Sequence, residues 1–299
     1  MKQKKSAIIF GSNGYIGKHL QFCLKSFNYE IRNFDITQSE NDESFTKIDL
    51  LENSSLNSID WNVDLVFFFA GLTGTKISFE NYSNFINLNE IALLNTLDSI
   101  KNSHFRPRFV FPSSRLVYKG SDDPLKEDAV LFPKTIYAAN KISCEHYLEI
   151  YKNMFEIPYT VFRICVPYGN LLSGEYSFGT IGSLTTALKT KGYISLYGDG
   201  MLRRTFTHVE DMINQMVIAC EYESSKNEIY NVDGENYSLI EISNMLSDKL
   251  GGEVKLVPWP EEDLNLESGS TIFDSSKLIK ISKYQNKHSV SKWIESLGL

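Results

Sequence analysis

Residues 6–17 read SAIIFGSNGYIG, a short apolar run, Ser6–Phe10, that breaks into glycines at Gly11, Gly14 and Gly17. The run has the length and composition of a buried strand, and a helical pattern follows it to about Phe27. Glycines placed between a strand and a helix let the chain turn tightly and bring its backbone close to a ligand. The helix N-terminus then offers N–H groups and partial positive charge to a phosphate. This stretch therefore predicts a phosphate-cradling βα turn, with Gly11, Asn13, Gly14, Tyr15, Ile16 and Gly17 around a dinucleotide.

Outward from that turn, Asp35 ends the second predicted strand, Glu30–Asp35. A carboxylate there accepts hydrogen bonds from an adenosine 2′-hydroxyl and repels a 2′-phosphate. Ile36 and Thr37 follow, so no adjacent arginine welcomes that phosphate, and NAD is expected rather than NADP. The alternation continues with a short strand at Phe45–Ile48, an apolar strand at Val63–Ala70 and a helix over Asn81–Lys101. A strand at Phe109–Pro112, a helix over Pro133–Phe155 and a strand at Tyr159–Ile164 come next. Repeated β-α-β units predict an α/β fold with a doubly wound parallel sheet, and ligands bind outside the carboxyl ends of such strands.

The second half is less regular. Gly169–Gly182 is polar and contains glycine, and a helix is predicted from there to Lys191. Tyr197–Gly200 reads as a turn, Val209–Glu223 and Leu239–Leu250 as helices, and Glu253–Val257 as a strand. Residues 1–168 are expected to form the dinucleotide-binding domain, completed by part of the later chain. Residues 169–299 are expected to form mainly a substrate-binding lobe interleaved with it.

Composition narrows the partners. The chain has 299 residues, 42% hydrophobic and 22% charged, with a net charge of -7. That sign argues against nucleic acid and leaves phosphate recognition to local groups. The apolar run after the first lysines, Ala7–Phe10, is too short for a signal-peptide core. Leu65–Ala70 is far below the ~20 residues that cross a bilayer, so no membrane insertion is expected. Cys23, Cys144, Cys165 and Cys220 form no CxxC pair and no zinc-type spacing, which predicts no metal and suits a reducing cytoplasm.

Tyr137-Ala138-Ala139-Asn140-Lys141 sets a phenol and an ammonium four residues apart, on one face of the predicted helix. A neighbouring ammonium and a cationic nicotinamide favour the phenolate, which would make Tyr137 a base near neutral pH. Ser114 ends the strand that includes Phe109–Pro112, at the ligand edge of the sheet, where its hydroxyl could bind a substrate oxygen.

With these residues in place, the chain resembles the NAD-dependent epimerase/dehydratase branch of the extended short-chain dehydrogenases/reductases along nearly its whole length. GSNGYIG is similar to that family's cofactor loop, Asp49-Leu50 to its adenine-contacting pair, and Phe69-Ala70-Gly71-Leu72 to its strand-end segment beside the cofactor. Asn89 stands where the family has a helix asparagine, and Ser113-Ser114-Arg115-Leu116-Val117-Tyr118 resembles its active-site serine strand. Gly198-Asp199-Gly200 through Arg203-Arg204-Thr205-Phe206-Thr207-His208-Val209-Glu210-Asp211 is similar to its G-D-G…R-D-F…V-D-D segment.

The resemblance implies a Rossmann-type fold with a small C-terminal α/β substrate lobe. It also implies NAD as cofactor, a nucleotide-sugar substrate, and a homodimer paired through the helices at Asn81–Lys101 and Pro133–Phe155. It makes Ser114, Tyr137 and Lys141 catalytic. Lys141 would lower the Tyr137 pKa and hold the nicotinamide ribose. Thr73, Ser114, Tyr137 and Arg204 would contact substrate, Arg204 at the pyrophosphate. The family's 4,6-dehydratases carry an acid/base pair where Arg115 and Leu116 stand, so dehydration is not expected. Other departures are Val166 for an asparagine, Thr205 for an aspartate, and no arginine ahead of Thr271–Lys277 to bind the substrate phosphate. The implied activity is nucleotide-sugar epimerisation, at C4. A 4-keto-6-deoxy nucleotide-sugar reductase and a non-catalytic dinucleotide sensor are the alternatives.

Overall fold

The computed structural model describes residues 4–37, 45–172 and 178–298. Part of the polar Gly169–Gly182 stretch, residues 173–177, lies outside the described residues. In chain order the strands are β1 (Ser6–Phe10), β2 (Glu30–Asp35), β3 (Phe45–Lys47), β4 (Leu65–Phe68), β5 (Arg108–Ser114) and β6 (Ser121–Leu125). There follow β7 (Tyr159–Ile164), β8 (Val166–Tyr168), β9 (Tyr193–Tyr197), β10 (Arg203–His208) and β11 (Glu228–Asn231). The last are β12 (Glu235–Ser238), β13 (Glu253–Val257) and β14 (Thr271–Phe273).

Seven strands make the main sheet, in the order β11-β7-β5-β4-β1-β2-β3, every neighbouring pair parallel. The order reverses between β1 and β4, so a crevice opens at their carboxyl ends, where this topology takes its ligand. All four residues of β4 are buried, which is why this run reads as continuously apolar, and all seven of β5 are buried, Arg108, Ser113 and Ser114 included. On one face the helices Tyr15–Ser26 and Val209–Cys220 pack together over Ile9, Phe67 and Phe162. On the other, Ala92–Asn102 and Ile136–Phe155 cover Ile8, Phe68 and Phe111. Phe10 packs against Phe34, Phe68 and Trp61 with ring centroids 5.4, 6.0 and 6.1 Å apart, directly under the glycine turn.

Three features depart from the sequence reading. The predicted helix over Asn81–Lys101 is broken by a π-helical turn, Asn87–Ile91, between α-helices Tyr82–Ile86 and Ala92–Asn102. The wider turn rotates Asn89 inward, where its Oδ1 accepts from the Leu72 backbone N–H at 2.8 Å beside the end of β4. The predicted helix from Pro133 begins instead at Ile136, because Thr135 is extended and its hydroxyl caps the Ala138 N–H at 3.0 Å. The third is a second sheet, β12-β10-β14-β6 with β8 on β10, which was not legible in the sequence. Its β6, Ser-Asp-Asp-Pro-Leu, has no apolar alternation and exists because β14, far along the chain, pairs with it. Among the described residues no helix is long and apolar enough to cross a membrane.

Candidate active site

Two cavities meet above the carboxyl ends of β1 and β4. The first, about 330 Å³, is lined by Gly11, Asn13, Gly14, Asp35, Asp49 and Leu50 on one side and Phe69–Gly71 on the other. The second, about 320 Å³, shares Gly11, Gly14 and Phe69–Leu72 with it and continues to Thr73, Ser114, Tyr137 and Lys141. Together they form one trough with an acidic residue at one end and a phenol–lysine pair at the other. Tyr15, Ile16 and Gly17 line the second part. The structure thus brings nearly every residue singled out from the sequence to one groove.

The glycine turn is built tight. Gly11 has φ +77°, and a Cβ on it would lie 2.5 Å from the Ala70 nitrogen. A Cβ on Gly17 would stand 2.1 Å from the Gly11 oxygen. The Tyr15–Ser26 helix takes no side-chain cap at Gly14, so its first-turn amides are left to a ligand. Asp35, at the end of β2, ties that strand end to the glycine turn after β1. One carboxylate oxygen accepts from the Asn13 N–H at 2.9 Å and the other from the Thr37 N–H at 3.0 Å. These are the features a dinucleotide needs: bare backbone at the phosphates and an acceptor at the ribose. The groove fits NAD.

At the other end, Tyr137 and Lys141 stand on successive turns of the Ile136–Phe155 helix, and both are buried. Lys141 Nζ donates to the Pro112 carbonyl at 2.7 Å and lies 4.4 Å from the Phe111 ring centroid. Burial pushes the Tyr137 phenol up to about 12, against the lowering effects of the Ser114 hydroxyl and the Arg115 charge. Burial likewise brings the Lys141 ammonium down to about 8. Among the protein groups, those that lower the phenol are Ser114 and Arg115. The same dry surroundings that bring phenol and ammonium together disfavour the charged form of both.

Asn89 and Arg204 do not line the groove. Asn89 braces it from behind through Leu72, while its neighbour Glu90 accepts from Asn140 Nδ2 at 2.5 Å and from the Tyr147 hydroxyl at 2.9 Å. Arg204 is buried, and its guanidinium is held by the Gly269 and Arg203 carbonyls at 2.7 and 2.8 Å and by Glu267 Oε1 at 2.7 Å. The expected grip of Arg204 on a substrate pyrophosphate is thus already occupied by the chain's own Glu267.

The sequence reading missed Cys165, Pro167 and Phe178, which line the same cavity as Tyr137. Phe178 stacks on Tyr15 at 4.0 Å, and the Tyr15 hydroxyl donates to the Gly169 carbonyl at 2.7 Å. No local pattern marks these residues, because tertiary packing alone brings them to the glycine loop. Among the described residues one cluster, His208, Glu210 and His288, has metal-ligand types close together. His208 Nδ1 caps the Glu210 N–H, His288 Nε2 lies 2.8 Å from Glu210, and the two imidazoles stack at 3.7 Å. Stacked rings aim their lone pairs side by side rather than at one point.

A family model described as the NAD dependent epimerase/dehydratase family matches residues 7–233. The chain belongs to the NAD-dependent epimerase/dehydratase family. Among curated relatives, a Bacillus subtilis protein named as the uncharacterized UDP-glucose epimerase YtcB is 25% identical over 267 residues, covering 83% of each chain. A UDP-glucuronate 4-epimerase of Thermodesulfobacterium geofontis is 24% identical over 269 residues, covering 87% of this chain and 80% of its own. The fold is shared with the crystal structure of a UDP-glucuronic acid 4-epimerase from Bacillus cereus, solved with UDP-glucuronic acid and NAD. Its TM-score is 0.83 at 24% identity, over 97% of both chains. The matched residues 7–233 include the glycine turn, Asp35, Ser114 and the Tyr137–Lys141 pair that line the trough.

Proposed function

We propose that this member of the family is an NAD-retaining nucleotide-sugar epimerase acting at C4. The observation that carries the reading is the continuity of the trough, which joins Asp35 to Ser114, Tyr137 and Lys141. Bound NAD would supply hydride acceptance and return, and a positive nicotinamide beside the phenol. The Tyr137 oxygen takes the proton of the sugar C4 hydroxyl and later gives it back. Ser114, within hydrogen-bond reach of the phenol, holds the same oxygen in line. Lys141 is fixed by Pro112 and holds the nicotinamide ribose. Asp35 selects the unphosphorylated ribose. With Arg115 and Leu116 after Ser114, no side chain there can expel a C6 hydroxyl, so the keto sugar is reduced again instead of dehydrated.

In this reading residues 1–168, completed by β11, hold the dinucleotide, and residues 169–299 mainly shape the sugar side. Four free thiols fit a reducing cytoplasm. The test is turnover of a nucleotide sugar in heavy water by protein that has kept its NAD through desalting. The expected product is the 4-epimer, with no deuterium at C4 and no net NADH. Stoichiometric consumption of NADH by a 4-keto sugar would replace this reading with a reductase.

The proposal includes a homodimer through the helices at 82–102 and 136–155. Its support is the exposure of large apolar side chains there, Tyr82, Ile86 and Ile91 on one and Ile150 and Met154 on the other. Light scattering is expected to give the mass of two chains, and a monomer across concentrations would remove the dimer.

A further inference from the structure

An aromatic pair joins the later half of the chain to the glycine turn. Tyr15 is the first residue of the Tyr15–Ser26 helix and packs on the core of the main sheet. Phe178 is the N-cap of the helix Gly179–Lys191, whose Ile181 and Leu188 are rooted in a separate core with Val166, Ile194 and Phe206. The two rings lie nearly parallel, with centroids 4.0 Å apart and planes 11° apart. Both residues line the cavity that holds Tyr137 and Lys141. The first turns of the Tyr15–Ser26 helix also hold the chain that follows β8. The Tyr15 hydroxyl donates to the Gly169 carbonyl at 2.7 Å, and His19 Nε2 lies 2.9 Å from Asn170 Oδ1. Gly169 is fixed from its other side too: at φ +92°, a Cβ on it would lie 2.3 Å from the His208 imidazole.

Tyr15 belongs to the helical turn whose amides are left to the phosphates. A dinucleotide laid from that turn to Tyr137 therefore passes through the cavity that Phe178 lines. We infer that Phe178 is a positioning residue for the cofactor: by stacking on Tyr15 it holds the later half of the chain against the glycine turn, and bound NAD leaves only when the stack parts. The inference rests on the epimerase reading, in which one NAD stays bound through oxidation and re-reduction, and it names the contact that keeps it there. Changes within one binding site show mainly in the dissociation rate, which is the quantity to measure.

The experiment loads the full-length protein with NADH, mixes it rapidly with excess NAD and follows the loss of bound-NADH fluorescence. Phe178→Leu keeps apolar bulk but not the flat ring. It is expected to speed dissociation about three- to tenfold, the range set by one aromatic pair. Phe178→Tyr keeps the ring and is expected to stay within about twofold of wild type. Tyr15→Leu speeds release as well, and adding Phe178→Leu to it changes the rate by less than about twofold, because the contact is already gone. A Phe178→Leu rate within about twofold of wild type overturns the inference. So does an equal gain in Phe178→Tyr, or a Phe178→Leu effect that persists undiminished in the Tyr15→Leu background, since neither depends on the stack. Dissociation is read without any sugar, so the two readings fail separately. Release that depends on Phe178 with no 4-epimer formed would sink the reaction and leave the stack standing. A 4-epimer formed by protein whose release ignores Phe178 would do the reverse.

Discussion

Tyr137→Phe lowers turnover by about 10²- to 10⁴-fold, the range for loss of a positioned acid/base, while the protein still retains NAD. The ring makes an edge contact with Phe85 at 6.4 Å between centroids and is buried, so phenylalanine keeps the packing and removes only the hydroxyl. The pH dependence separates this outcome from a structural one. Burial raises the phenol, and its charged form becomes more populated as pH rises toward about 12. A wild-type rate that depends on the phenolate therefore climbs with pH, and the residual rate of Tyr137→Phe does not. Measured kcat across pH for both proteins decides it. Unchanged turnover in the variant would take the proton away from Tyr137 and favour a sensor on the same fold.

The second large effect is on stability. Behind Ser114, Arg163 and Glu145 form a buried pair with side chains only 3% and 5% exposed, Arg163 Nη2 lying 2.6 Å from Glu145 Oε2. Ser113 donates to Glu145 Oε1 at 2.5 Å, and Arg163 Nη1 donates to the Tyr118 hydroxyl at 2.7 Å. Tyr118 in turn donates to Asn231 at the end of β11. The network ties β5, β7, β11 and the Ile136–Phe155 helix together one residue away from Ser114. Arg163→Met leaves the Glu145 charge buried without its partner and is expected to cost about 3–5 kcal/mol. Chemical denaturation reads this directly. Adding Glu145→Leu to that variant should recover part of the loss, because the stranded charge goes with it. A single variant within about 0.5 kcal/mol of wild type would show that the pair bears no such burden.

The cofactor half of the groove was legible in the sequence because its parts are local. Strand, glycine turn and helix N-terminus are consecutive from Ser6 to Gly17, and Gly11 and Gly17 are required by backbone approaches that no other residue permits. Tyr137 and Lys141 were legible for the same reason, since helical geometry alone puts residues four apart on one face. Ser114 needed only the end of the strand signalled by Phe109–Pro112.

The amino-acid order by itself determined the doubly wound sheet, the glycine turn, and the candidates Ser114, Tyr137 and Lys141 that the structure brings to one cavity. All of these follow from periodicity and from neighbours within a few positions. Only the tertiary structure decided their proton affinities, because burial by distant elements outweighs the Ser114 hydrogen bond and the Arg115 charge at Tyr137 and lowers Lys141. It also decided that Arg204 is held by Glu267 and that Arg115 comes beside Thr271, contacts between residues 63 and 156 positions apart. Such pairings are set by how the second sheet lies against the first, and no local pattern encodes that placement.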